Sequence, residues 1–319
     1  MRVPSAVFTL LILAFAPSWV SAQGKPPDPL AQTTPTTPPE PAERSVKKAV
    51  VFITMHCLRG AQPVTARGTG FFASSLDNRV PGSTFIYLVT NRHVAMCWDD
   101  NRTPMPVQSV SIRMNRRDGS SVEIPIAGNL SWILPSDDSV DLALSMGAPD
   151  PKVYDWLSIG ESQFVTEEVF KKESVSEGLK VIFSGFFYQV PGLNHMEPIV
   201  REGVIAMIPD EDLVTTTGKL GKAYLAEVHA FHGNSGSPVF VDLRTRSIGY
   251  DYRLPGVVSG AYSEGDAQTL VLETPLASKP GNSGIAIVVP ATEIEKLIND
   301  ARVVAVRDAV VHAQQAQKR

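Results

Sequence analysis

Two runs of short strand-like segments constrain the fold of this 319-residue chain more than any other feature. Each run holds six segments rich in β-branched and aromatic residues, separated by turn-forming residues. The segments of the first run are 48–55, 68–72, 85–89, 107–114, 121–126 and 142–146, and those of the second are 179–187, 199–208, 223–229, 239–242, 254–262 and 285–289. They predict an all-β protein built from two six-stranded antiparallel β-barrels.

The N-terminal region lacks this strand pattern. Residues 1–22 contain Arg2, an apolar run and the small-residue end Val20-Ser21-Ala22, which together predict a secretory signal peptide. Residues 23–44 are rich in Pro and Thr and predict a disordered linker.

The folded domain is expected at residues 45–300, with barrel one at about 46–147 and barrel two at about 178–290. Residues 291–319 form the C-terminal part. Thr292 and Glu295 have the spacing of a capping box, and apolar residues recur behind them at helical spacing. The pattern predicts a C-terminal amphipathic helix that packs on the second barrel, followed by a short tail.

Composition excludes several classes of function. The chain is 43% hydrophobic and 19% charged, with a formal net charge of −4, so no basic excess indicates nucleic acid. No apolar run approaches the roughly 18 residues that a membrane span needs. The predicted signal peptide indicates an exported protein, periplasmic or extracellular. In such an oxidising compartment Cys57 and Cys97 are predicted to form a disulfide, with two buried thiols as the alternative.

A glycine-framed serine marks the candidate site, in the stretch Phe231-His232-Gly233-Asn234-Ser235-Gly236-Ser237-Pro238. Glycine permits a tight turn, which can expose the Ser235 hydroxyl and point the amides of Gly233 and Ser235 to one side. A hydroxyl nucleophile beside converging N–H groups suits acyl transfer. The plainer interpretation is a hairpin turn. The neutral Asn234 is expected to hold the turn through amide hydrogen bonds.

A base and a carboxylate occur elsewhere in the chain. His93 follows the apolar strand-like stretch that ends at Val89, and Asp141 directly precedes Leu-Ala-Leu. Asp137 and Asp138 are rivals for the role of the carboxylate.

With these three motifs, the chain resembles the trypsin-like (chymotrypsin-fold) serine endopeptidases, and in particular the bacterial branch of HtrA-type and V8-type peptidases. The order His93, Asp141, Ser235 matches that family. Too few residues follow position 300 for the PDZ domain of HtrA-type relatives. The resemblance implies a secreted serine endopeptidase, a hydrolase that needs no cofactor and acts on proteins or peptides, with the amides of Gly233 and Ser235 as its oxyanion hole.

The resemblance also implies a substrate pocket. Ser259 is expected to help hold Asp141, and the pocket is expected to accept an uncharged residue before the cleaved bond. The implied substrate-binding residues are His229, Ala230, Phe231, Val258, Ser259, Gly260 and Ala261.

Three other interpretations stay open. His229 and His232 have a spacing that zinc ligands can have, but no third ligand is evident, so no metal site is predicted. A catalytically silent secreted binding module could use the same fold. A serine esterase could use the same three residues, although the order of an α/β-hydrolase is different. The sequence carries no signal for the oligomeric state.

Overall fold

The computed structural model describes residues 42–79, 83–99, 101–126, 132–172, 175–243, 252–263, 270–271 and 282–317. The predicted signal peptide and most of the predicted linker lie outside these ranges, so both stay predictions. Within the described ranges, no helix is both long and apolar enough to cross a membrane.

The first sheet contains the six strands predicted for barrel one, in the order β5-β4-β1-β2-β3-β6. Their bounds are β1 Val50–Arg59, β2 Gln62–Asp77, β3 Ser83–Thr90, β4 Val107–Asn115, β5 Ser121–Pro125 and β6 Ala143–Met146, with a short β7, Ile159–Gly160, parallel to β2. A two-residue loop containing Gly60, at φ 61°, joins β1 to β2. The six strands are antiparallel and barrel-like, but β5 and β6 do not pair within the described residues.

The second sheet closes into a six-stranded barrel. Its order is β13-β8-β9-β12-β16-β14, and β14 pairs back with β13. Its strands are β8 Lys180–Gly185, β9 Ile199–Met207, β12 Tyr224–Glu227, β13 Pro238–Asp242, β14 Tyr252–Ser263 and β16 Asn282–Pro290, with β15 Leu270–Val271 at the edge of β14. A separate hairpin of β10 Leu213–Val214 and β11 Leu220–Gly221 precedes β12. The all-β, chymotrypsin-like fold class is therefore confirmed.

A shared core joins the two sheets. Phe71 and Leu144 of the first sheet, Phe240 and Leu254 of the second, and Ile294 of the C-terminal part belong to one buried cluster. Burying a side chain of this size stabilises the fold by roughly 1.5–3 kcal/mol. Because both sheets contribute side chains to this cluster, the packing fixes the position of one sheet relative to the other.

The helices in the N-terminal and C-terminal parts of the domain differ from the prediction. The chain forms α1 Ala42–Lys48, α2 Arg92–Met96, α3 Glu167–Lys172, α4 Ala291–Ile298 and α5 Ala301–Gln317. Residues 42–44, predicted as the end of the linker, already belong to α1, whose Val46 is buried. The first barrel strand accordingly begins at Val50, after that helix, and not at residue 48.

The single predicted C-terminal helix is interrupted at Asn299 and Asp300. Asp300 accepts the backbone N–H groups of Arg302 on its side chain and of Val304 on its carbonyl, so it starts α5 as a new helix. The predicted capping box does not form, because Pro290 occupies the N-cap position of α4 without a side-chain cap bond. The break also changes the buried face, so that Val303 is buried in α5.

Candidate active site

His93 is held by Asp141 through two hydrogen bonds. The Nδ1 atom of His93 lies 2.7 Å from Oδ2 of Asp141, and the backbone N–H of His93 donates to Oδ1 at 3.1 Å. Asp141 is fully buried and His93 is only 9% exposed. Because an ionised carboxylate can only accept, Nδ1 carries the proton and the second ring nitrogen is left as the basic one.

The two rival carboxylates lie elsewhere. Asp137 accepts the backbone N–H of Ser139 at 2.9 Å, which closes a local turn. Asp138 is on the surface and pairs with Lys219. Of the three aspartates, the structure brings Asp141 to the histidine.

Two hydroxyl groups also meet Oδ2 of Asp141. Ser259 donates to it at 2.5 Å, the contact expected from the family resemblance, and Thr216 donates at 2.8 Å. The two hydroxyl oxygens are 2.5 Å apart. Two hydroxyl hydrogens cannot fill all three contacts at once, so the pair acts as one coupled donor group.

The charge of Asp141 reflects these contacts. Burial raises the pKa of Asp141, but the adjacent His93 and the hydroxyls of Ser259 and Thr216 lower it more, and the pKa ends below its ordinary value. The side-chain amide of Asn91 also donates to the backbone carbonyl of Asp141 at 2.8 Å. The carboxylate is therefore held ionised and in one orientation.

Ser235 lies in the second of two consecutive turns. The N–H of Asn234 donates to the carbonyl of Phe231 at 2.9 Å, and that of Ser237 donates to the carbonyl of Asn234 at 3.0 Å. The third residue of each turn is a glycine with positive φ, Gly233 at 91° and Gly236 at 88°. This is the type II pattern, in which the central peptide is turned over relative to a type I turn.

Ser259 connects Ser235 to the aspartate. The hydroxyl of Ser235, which is 8% exposed, donates to the backbone carbonyl of Ser259 at 3.3 Å. The Ser259 hydroxyl contacts Asp141, which in turn holds His93. The three residues singled out in the sequence are thus brought together at one place between the two sheets.

Asn234 holds the two consecutive turns of residues 231–237, which we call the serine turn, through its side-chain amide, as expected. Its Oδ1 atom accepts the backbone N–H of Phe231 at 2.7 Å, and its Nδ2 atom donates to the carbonyl of Phe186 at 2.6 Å. Asn234 is fully buried. A neutral amide therefore satisfies both polar groups without a charged partner.

Thr69 joins the serine turn to the first sheet. Its backbone N–H donates to the carbonyl of Ser235 at 2.8 Å, and its hydroxyl donates to the carbonyl of Gly233 at 2.7 Å. The same hydroxyl accepts the N–H of Phe186 at 2.8 Å. In the sequence, Thr69 is visible only as one residue of the predicted strand 68–72.

The residues predicted for the substrate pocket fall into two groups. Ala230, Val258 and Ala261 are buried, and the carbonyl of Ala230 accepts a hydrogen bond from Asn282. His229 and Phe231 are exposed, with ring centroids 6.3 Å apart in a stacked arrangement. Gly260, on β14, is half-buried. The role of these residues in binding stays a prediction.

The disulfide between Cys57 and Cys97 is present. It ties β1 to the residue that ends α2, the helix that carries His93. A disulfide is compatible with an exported protein. Within the part of the chain that the structure describes, no group of three or more His, Cys, Asp or Glu side chains could hold a metal ion.

Two solved structures are similar to this chain. The crystal structure of Deg5 has 16% sequence identity, with 79% of this chain and 88% of that chain covered and a TM-score of 0.45. The apo crystal structure of the MamO protease domain from Magnetospirillum magneticum has 16% identity, with 79% and 97% covered and a TM-score of 0.45. No protein-family model and no curated protein sequence matches this chain. Function is therefore inferred from the geometry of the site.

Proposed function

We propose that this protein is an exported serine endopeptidase that uses Ser235, His93 and Asp141. The observation that supports this best is the buried Asp141 carboxylate, which accepts hydrogen bonds from both the ring and the backbone N–H of His93. Ser259 links this carboxylate to Ser235, because its hydroxyl contacts Asp141 and its carbonyl accepts the Ser235 hydroxyl. An orienting carboxylate, a base and a hydroxyl in this relation are the elements of nucleophilic acyl transfer.

The reaction would proceed in two halves. The Ser235 hydroxyl leaves the carbonyl of Ser259, gives its proton to the second ring nitrogen of His93, and attacks the carbonyl carbon of the peptide bond. The amides of Gly233 and Ser235 would bind the oxyanion, and His93 would return the proton to the leaving amine. Water, deprotonated by His93, would then attack the acyl-enzyme carbonyl, and His93 would return that proton to the Ser235 oxygen as the acyl–oxygen bond breaks and the acid product leaves.

Ser235→Ala is expected to abolish peptide hydrolysis and covalent labelling by a fluorophosphonate. Ser237→Ala is a matched control from the same turn, because the Ser237 hydroxyl is buried and has no hydrogen-bond partner in the described part of the chain. The measurement is labelling, located by peptide mass spectrometry, together with cleavage of a peptide library. Equal cleavage by the Ser235→Ala variant would refute the proposal.

The same experiment separates the other candidate functions. A silent binding module would not be labelled at Ser235, whereas an esterase would be labelled but would turn over esters and leave peptides intact. An enzyme of the proposed type would be labelled and would also cut peptides.

Thr216→Val is expected to lower kcat/KM by about tenfold, the effect of losing one hydrogen bond to a charged group. The carboxylate that loses this donor attracts the imidazolium of His93 more strongly, so the acid limb of the pH profile of kcat/KM should move to higher pH. Thr216→Ser keeps the hydroxyl and should restore both values. A variant with lower stability but an unmoved pH profile would show that Thr216 is only structural.

A further inference from the structure

A half-buried arginine lies beside the serine turn, and no described acidic side chain pairs with it. The guanidinium of Arg201, on β9, is 4.6 Å from the ring centroid of Phe231 and 5.8 Å from that of Phe187. Its Nε atom is buried and has no hydrogen-bond partner among the residues that the structure describes. No acidic side chain pairs with Arg201 within the described ranges, and burial lowers the pKa of its guanidinium. This cation therefore lies over two aromatic rings, and no described carboxylate balances its charge.

A second arginine has a similar environment nearby. Arg67, on β2, lies 5.3 Å from the ring centroid of Tyr188. Tyr188 follows Phe187 in the chain, and the rings of Phe187 and Phe231 meet edge to face at 6.4 Å. We call Arg67, Phe187, Tyr188, Arg201 and Phe231 the arginine–aromatic ledge.

Two acids close in sequence to Arg201 already have partners. Glu202 pairs with Lys180 at 2.8 Å, and Glu197 lies 3.9 Å from Lys47. The chain as a whole carries a formal net charge of −4, so an arginine without an acid is not the result of a shortage of carboxylates. A stacked guanidinium still has unused N–H donors, and their fork geometry matches a carboxylate.

The topology of the second barrel places the ledge relative to the serine. In the closed order β13-β8-β9-β12-β16-β14, strand β9 is three strands from β14 in both directions, so the two strands are opposite each other. The serine turn runs from β12 to β13. Its contacts show that it passes the ends of β9 and β8, because Phe231 meets Arg201 on β9 and Gly233 lies against Phe186, just after β8.

The opposite side of the turn belongs to β14, whose Ser259 carbonyl accepts the Ser235 hydroxyl. By the family resemblance, β14 pairs with the part of the substrate that precedes the cleaved bond. Arg67, Phe187, Tyr188 and Arg201 of the ledge are then on the side of the leaving group, and Phe231, which the resemblance implies for the pocket, stands at the border between the two sides.

We propose that the arginine–aromatic ledge binds a carboxylate of the substrate on the leaving-group side, within about three residues of the cleaved bond. The carboxylate is either that of an Asp or Glu side chain or that of a free C-terminus. This inference rests on the proposed function for its orientation, but the ledge itself can be tested by binding alone.

The test uses the Ser235→Ala protein and paired fluorescent peptides, with uncharged residues varied before the intended bond. The pairs differ by Glu or Gln at each of the three following positions, and a further pair differs by a C-terminal acid or amide. We expect about tenfold tighter binding of the acid member of at least one pair, measured by anisotropy. The position of that pair tells a side chain from a chain terminus.

Variants in the same background assign the preference to the ledge. Arg201→Met keeps the apolar stem and should reduce the acid-to-amide ratio to near one. Arg117→Met is the control, since Arg117 is an exposed arginine that donates to the carbonyl of Pro151. That variant should keep the ratio. If Arg201→Met does not fold, Arg67→Met and a salt titration serve instead, because an exposed charge pair weakens as ionic strength rises.

Equal binding of the acid and amide members of every pair would overturn the inference, as would a ratio that neither arginine variant changes. Failure of the proposed function looks different. In that case the acid preference would be present in binding while the parent protein cleaves none of the peptides. Cleavage by the parent protein without any acid preference would instead support the proposed hydrolase and refute the proposed carboxylate site.

Discussion

Asp141→Asn is expected to lower kcat by about 10⁴-fold while the protein stays folded. The reason is that the new side-chain amide can satisfy its neighbours in only one orientation. The Oδ1 position faces the backbone N–H of His93, a donor that only an oxygen can satisfy. The NH₂ group must then occupy the Oδ2 position, where it donates to Nδ1 of His93. The histidine proton moves to the other ring nitrogen, which can no longer take the proton of Ser235.

Asp138→Asn is the matched control for this variant. Asp138 is exposed and pairs with Lys219 at the surface, so the loss of its charge is expected to change little. Retained activity in Asp141→Asn, or an equal loss in both variants, would contradict the assignment of Asp141.

Asp141→Asn is also expected to change the stability of the protein in acid. The pKa of Asp141 is lower in the folded protein than in the unfolded chain, so its carboxylate contributes stability that is fully present above about pH 4. That contribution is lost as pH falls through the folded pKa. Thermal unfolding of the parent should therefore lose part of its stability below pH 4, and this part should be missing from Asp141→Asn.

Local patterns predicted the strands and the three residues of the candidate site. Segments rich in β-branched and aromatic residues between turn-forming residues located all twelve barrel strands, and glycines on both sides of Ser235 indicated a tight turn. These features depend on neighbours in sequence or on a spacing that one strand or turn determines. They are visible before any tertiary contact is known.

The hydroxyl groups that complete the site could not be found in this way. Thr69 reaches the carbonyl of Gly233 across 164 positions, and Thr216 reaches Asp141 across 75. A threonine in a strand or in a turn has an ordinary local explanation, so neither residue stands out in the sequence. Their roles depend on how the two sheets pack and where the β10–β11 hairpin folds back.

The break between α4 and α5 was missed for a different reason. Apolar residues at helical spacing continue from Ile294 to Ala305, and this periodicity favoured one helix. Asn299 and Asp300 compete with it, because the Asp300 side chain and carbonyl offer an N-cap to the residues that follow. The capping energy outweighed the periodic pattern.

Gly236→Ala is expected to destabilise the protein by about 4 kcal/mol or more and to abolish labelling of Ser235. A Cβ atom at this position would lie 1.9 Å from the carbonyl oxygen of Thr69 and 2.6 Å from the hydroxyl of Thr90. The Thr90 hydroxyl already donates to that carbonyl at 2.7 Å, so neither group can move aside alone. The turn must shift, which breaks the bonds of Thr69 to Ser235 and Gly233.

Gly119→Ala separates this clash from backbone strain. Gly119 has φ 87°, matching the 88° of Gly236, but an added Cβ would meet nothing within 4 Å. The control should therefore cost only the roughly 1–2 kcal/mol of a left-handed alanine. Urea unfolding gives both free energies, and labelling by a fluorophosphonate reports the serine turn. If the two variants lose the same stability, or if Gly236→Ala is labelled at the parent rate, then close packing of the serine turn on Thr69 does not position Ser235.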